Sequence, residues 1–173
     1  MVFRRSWLVV VAALAVALSF ALSAFASTPE LLFLIQRSKN ADEVHYDARI
    51  NGDGALDPGG PVDGYFLNKN PNGSWTRADL TVFQKMAYGW STEPTGNGSY
   101  ALKLRAFKER PMWVVKVNGK WRVQTTVAGH SAYLTKLYVA TNESGIMPSV
   151  LYVDVFGEDA ASGAALTEHI VKN

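Results

Sequence analysis

The chain has 173 residues, with 17 Lys+Arg against 15 Asp+Glu and no cysteine. A disulfide framework, thiolate catalysis and Cys-based zinc sites are therefore excluded. Hydrophobic residues make up 48% and aromatics 12%, a composition that suits a globular domain with a β-rich interior.

The chain opens MVFRRS, with Arg4 and Arg5 as a short basic stretch, and then runs apolar from Trp7 to Leu22. Ser23-Ala24-Phe25-Ala26 follows, and its small residues form an A-x-A cleavage site. Residues 1–26 thus read as a secretory signal cut before Ser27, with residues 27–173 as a single exported domain, periplasmic or extracellular. An uncleaved anchor is the competing reading, since a bilayer span needs roughly 20 apolar residues and Trp7–Ala26 barely supplies them. Cleavage removes two arginines and leaves 15 Lys+Arg, equal to the acidic count. A near-neutral mature chain carries no long-range electrostatic footprint for nucleic acid or anionic lipid, and no membrane span remains in it.

Leu31–Ile35 is a short apolar run suited to a central strand, and it turns polar at Gln36-Arg37-Ser38-Lys39-Asn40. From Glu43 to Ile50 the chain alternates, placing Val44, Tyr46, Ala48 and Ile50 on one face and His45, Asp47 and Arg49 on the other. Gly52 and Gly54 then mark a connection, and Val62–Leu67 reads as a third strand. A helix is expected over 77–88. Thr76 caps it with Asp79 three residues on, Leu80, Phe83 and Ala87 form its stripe, and Gly89 ends it in a left-handed conformation. Residues 91–99, with Pro94, Gly96 and Gly98, read as a loop.

Tyr100–Phe107 alternates again. In MWVVKVNGKWRVQT, residues 112–125, Asn118-Gly119 invites a two-residue turn that pairs Val117 with Lys120 and Lys116 with Trp121. A bulged three-residue turn pairs Lys116 with Lys120 instead, and gathers Trp113, Val115, Trp121 and Val123 on one face. The cleaner sorting favours the bulged turn. Ser131–Ala140, Ser149–Phe156 and Thr167–Val171 complete the strands. About 8 strands with one helix point to a mainly β fold, an antiparallel barrel or a two-layer sandwich.

Few residues propose chemistry. INGDGALDPGG, residues 50–60, fails both EF-hand frames: Arg49 and Pro58 spoil one, Ala55 and Val62 the other. A looser calcium site through Asp53 and Asp57 is the minority option beside an ordinary turn. His45, His130 and His169 show no metal-ligand spacing, and no G-x-S-x-G elbow accompanies Gly129-His130-Ser131. No catalytic residue and no cofactor is expected. Trp75 and Trp90 flank the helix in loop-like sequence, where exposed aromatics mark a contact site.

The Gln36-Arg37-Ser38-x-Asn40 segment, Tyr46, Leu56-Asp57, Pro61-Val62, Tyr65 and Ala87-Tyr88-Gly89 together resemble an exported bacterial family catalogued as domain of unknown function 4833. The resemblance implies a single exported domain and brings no reaction or ligand with it. It also directs attention to Arg37, whose planar fork suits a carboxylate or phosphate. The competing role is an internal ion pair with Asp42, Glu43 or Asp47. The expected function is a non-enzymatic β domain that binds a small molecule or an envelope component near Arg37, Tyr65, Trp75 or Trp90. An envelope hydrolase assembled across strands and a calcium-stabilised module are the alternatives.

Overall fold

A computed structural model describes residues 29–142, 144 and 149–171. The expected signal segment, 1–26, lies outside the described residues. In chain order the elements are β1 (Glu30–Arg37), β2 (Asn40–Ala48), β3 (Val62–Lys69), β4 (Trp75–Asp79), α1 (Val82–Tyr88), β5 (Trp90–Gly96) and β6 (Ser99–Leu104). A single 3-10 turn (Arg105–Phe107) leads to β7 (Met112–Val117), β8 (Lys120–Val127), β9 (His130–Asn142), β10 (Ser149–Asp159) and β11 (Ala165–Val171). The strands run β4-β3-β2-β1-β9-β8-β7-β6-β5, with β10 on β9 and β11 on β10.

The mainly β fold with one helix is as expected, and the sheet curls into a half-barrel. It is mixed rather than wholly antiparallel, because β1 runs parallel to β9. A strand has only two hydrogen-bonding edges. Since β10 occupies one edge of β9 from Ala132 to Asn142, β8 and β1 must share the other in succession. β8 pairs with β9 from His130 to Leu134, and β1 pairs with it from Lys136 to Val139. The sheet therefore divides into two wings, β1–β4 and β5–β8. They face each other across a core of Phe33, Val44, Tyr46 and Phe66 on one side and Leu102, Met112, Val114 and Val123 on the other.

The wings meet where the Trp90 ring lies edge-on to Tyr46, with centroids 5.6 Å apart, and covers Gly64. The buried core of the described residues runs from Leu32 to Val155. The inward face of β2 is as expected, with Val44, Tyr46 and Ala48 buried; of the opposite face, His45 is half-buried and Asp47 is buried beneath Tyr65.

Local expectations for the helix, for the loop after it and for the β7–β8 turn are corrected. The helix begins at Val82, not 77, because Trp75–Asp79 pairs with β3 as an edge strand. Arg77 stacks over the Tyr65 ring at 3.6 Å and reaches Asp63 at 2.7 Å, contacts that hold this stretch extended. The N-cap is Thr81, in a capping box with Gln84, and neither Thr76 nor Asp79 takes part. Gly89 is extended (φ −65°) rather than left-handed; glycine is needed because a Cβ would stand 2.2 Å from the Lys85 carbonyl oxygen.

Residues 91–96 form β5 instead of a loop, with Pro94 tolerated on an edge strand. The β7–β8 hairpin takes the two-residue turn, with Asn118 at φ 51° and Gly119 at φ 82°. Its register sets Val117 opposite Lys120 and Lys116 opposite Trp121. Both positive φ values match the right-handed twist of the strands. The mixed pairing costs little, because Lys116 lies across the Trp121 ring at 5.5 Å and donates to the Gly54 carbonyl at 2.8 Å. Trp113 is left on the outer face, 41% exposed.

Candidate ligand cavity

Between the wings, at the end where α1 crosses, lies a cavity of about 660 Å³. That is within the roughly 300–1,000 Å³ of small-molecule sites. Its wall is aliphatic and aromatic: Ile35 from β1, Leu104 from β6, Leu137 and Val139 from β9, Val153 from β10 and Ile170 from β11. α1 closes one side with Phe83, Gln84, Ala87 and Tyr88. β8 contributes nothing, and from β9 only residues beyond its β8 pairing take part. The cavity thus occupies the stretch where β8 has ended and β1 has replaced it on the edge of β9.

Arg37, the last residue of β1, carries the one formal charge in this lining among the described residues. The apolar strand that ends in it explains its place: β1 packs through Phe33 and Ile35, and the same face then delivers the guanidinium to the open end. The group sits between two rings, 5.5 Å from the Phe66 centroid and 5.9 Å from that of Tyr88. A terminal nitrogen makes a long contact with Asn40 Oδ1 at 3.4 Å. Nε is buried and has no hydrogen-bond partner. The expected ion pair with Asp42, Glu43 or Asp47 is not formed. Asp42 instead accepts from Asn40 and the Lys69 amide, Glu43 from Gln36 and His45, and Asp47 from Tyr65.

Tyr46 fixes the neighbouring wall. Its ring stacks on Phe33 at 4.5 Å and its hydroxyl donates to the Tyr88 carbonyl at 2.7 Å, tying the end of α1 to β2. Burial pushes this phenol far above its ordinary pKa, so it is a neutral donor at any physiological pH.

Residues 33–169 match the sequence profile of domain of unknown function 4833. The chain belongs to that family. No curated protein and no solved structure gives a match. Of the residues that carry the 4833 resemblance, Arg37, Tyr46, Ala87 and Tyr88 line the cavity, although they come from three separate elements.

The other residues expected to bind a ligand in this 4833 domain lie elsewhere. Tyr65 faces away from the cavity, buried, with its hydroxyl on Asp47 at 2.8 Å; burial and that carboxylate push its pKa up to about 12. Trp75 is exposed on the edge strand β4, with Lys69 Nζ 5.7 Å from its ring. Trp90 packs into the core. The structure therefore brings Arg37 alone of the four to the cavity. In the sequence Tyr46 and Tyr88 stand among several aromatics able to line a pocket or fill the core, and a tyrosine on an alternating strand or at a helix end reads as core. The signal that was available is the polar turn at the end of an apolar strand.

Asp53 and Asp57 shape a turn. Asp53 accepts from the Ala55 amide at 2.9 Å, while Asp57 accepts from the Gly59 amide at 2.9 Å and pairs with Arg49 at 3.1 Å. The loop docks on the hairpin through the Gly54 carbonyl. The histidines do find carboxylates: His169 Nδ1 lies 2.6 Å from Asp154, and His130 Nδ1 lies 3.5 Å from Asp159. Ser131 accepts from Gln124 instead of meeting His130.

Proposed function

We propose that this chain is an exported, non-enzymatic domain that binds an amphiphile with an apolar chain and an anionic head group. The carrying observation is Arg37, the one charge in the lining of an apolar cavity among the described residues, which pairs with none of Asp42, Glu43 and Asp47. A guanidinium that faces an apolar cavity without a carboxylate partner is matched by a carboxylate or phosphate oxygen of the ligand through a charge-assisted bond. The aliphatic wall would take the chain, and Gln84 and Tyr88 would flank the head. No carboxylate or imidazole stands in the lining among the described residues, which supports binding over hydrolysis. Export is supported by the basic stretch, apolar run and A-x-A site that precede Ser27.

Displacement of a fluorescent fatty-acid analogue by straight-chain carboxylates of increasing length tests the reading. Each buried methylene contributes about 0.8 kcal/mol, so affinity should rise about fourfold per carbon until the cavity is filled. The matching alcohols should bind more weakly. No displacement at any length, or equal affinity for acids and alcohols, would sink the proposal.

A further inference from the structure

The helix that closes the cavity is apolar on its outer side as well. Gln84, Ala87 and Tyr88 face inward, whereas Val82 and Met86 line up with Lys85 on the outward face. No residue of α1 is buried: Val82 is 80% exposed, Phe83 83% and Met86 64%. Phe83 belongs to both surfaces, since it also lines the cavity, and so does Val171 across the mouth, 61% exposed. Large exposed apolar side chains gathered on one short element mark an interaction surface.

Its charge selects the partner. α1 contacts the 3-10 turn Arg105–Phe107, and together Thr81–Tyr88 and Arg105–Glu109 carry Lys85, Arg105 and Lys108 against one carboxylate, Glu109. A second copy packed through this face about a two-fold axis would oppose those cations to themselves. An anionic bilayer offers apolar depth for Val82, Phe83 and Met86 and phosphates for the cations.

We propose that the outward face of α1 docks on an anionic phospholipid bilayer, with the cavity mouth turned toward the membrane that supplies its amphiphile. The proposal rests on the amphiphile-binding reading above. Flotation of residues 27–173 with vesicles of phosphatidylcholine, alone or mixed with phosphatidylglycerol, tests it. The chain should float with the mixed vesicles and lose most of that binding in high salt. Val82→Ser/Met86→Ser should weaken flotation by on the order of tenfold or more. Neither residue lines the cavity, so fatty-acid affinity should be unchanged in this variant.

Arg37→Leu should float like the wild type while binding fatty acid poorly. Flotation without any fatty-acid binding would retain the docking face and remove the cargo. Fatty-acid binding without flotation, equal flotation of the double variant, or a dimer that the double substitution dissociates would each overturn the docking proposal.

Discussion

Arg37→Leu should make the ligand-free protein more stable and its ligand binding worse. The unpartnered Nε costs about 1–3 kcal/mol in the folded state. Stacking near Phe66 and Tyr88, at 5.5 and 5.9 Å, returns about 0.5–1 kcal/mol for each ring. Leucine removes both contributions and adds apolar contact to an apolar wall, leaving a balance of about 1 kcal/mol in its favour. For a domain of this size, that corresponds to a rise of about 2–4 °C in Tm, measured by calorimetry without ligand. In the wild type, a hydrogen-bonded carboxylate gains about 1.5–3 kcal/mol from the guanidinium, so the substitution should weaken fatty-acid binding roughly 10- to 150-fold. Saturating fatty acid should therefore reverse the order of the two melting temperatures, because the wild type gains about 2.7 kcal/mol at a hundred times Kd and the variant far less. A variant that melts several degrees lower without ligand and binds fatty acid as well as the wild type would refute the reasoning. Arg37 would then be a structural pin between two aromatic rings.

Two further substitutions probe the frame. Gly64→Ala should destabilise the fold by about 1–3 kcal/mol, read from urea unfolding, because its Cβ would meet the Trp90 ring at 2.4 Å where the wings touch. Glu168 accepts two bonds from Arg110, at 2.6 and 3.0 Å, and one from the Ala128 amide at 2.9 Å; the Arg110 bonds chiefly hold its carboxyl below the ordinary 4.5. A depressed folded-state pKa gives stability that is present above the unfolded value and lost as pH falls through the folded one. Glu168→Gln should thus be less stable than the wild type at neutral pH. The gap, followed by thermal melts, should narrow as pH drops below about 4.5, and a pH-independent gap would assign the effect to packing.

Strand identity was legible wherever one face meets the core and the other meets solvent. β2 is legible by its alternation, with Val44, Tyr46 and Ala48 inward and Glu43, His45 and Asp47 on the other face, although there Tyr65 covers Asp47 and solvent does not reach it. Periodicity misled where other interactions outweigh it. The stretch 77–79 has helical spacing, but it lies beside the open edge of β3, and pairing there satisfies its backbone while Arg77 covers Tyr65. In the β7–β8 hairpin, sorting side chains as simply apolar or basic favoured the wrong register. A lysine stem lies against a tryptophan at little cost while its ammonium reaches a carbonyl, so Lys116 opposite Trp121 is no conflict. Turn chemistry, with both Asn118 and Gly119 at positive φ, then decides.

The site was half legible for a different reason. Arg37 stands out in the sequence because an apolar strand ends in a cation. The cavity it serves follows from topology. β9 is long enough to hold β8 and then β1 on the same edge, and the second half of its length has no strand of the β5–β8 wing opposite it. The gap that opens there is lined by Leu137 and Val139 from that second half, by Ile35 and Arg37 from β1, and by α1 lying across. No local pattern encodes a parallel pairing between residues one hundred positions apart. Tyr46 and Tyr88 become site residues only once that pairing sets β2 and the end of α1 beside the same opening, joined by one hydrogen bond of 2.7 Å.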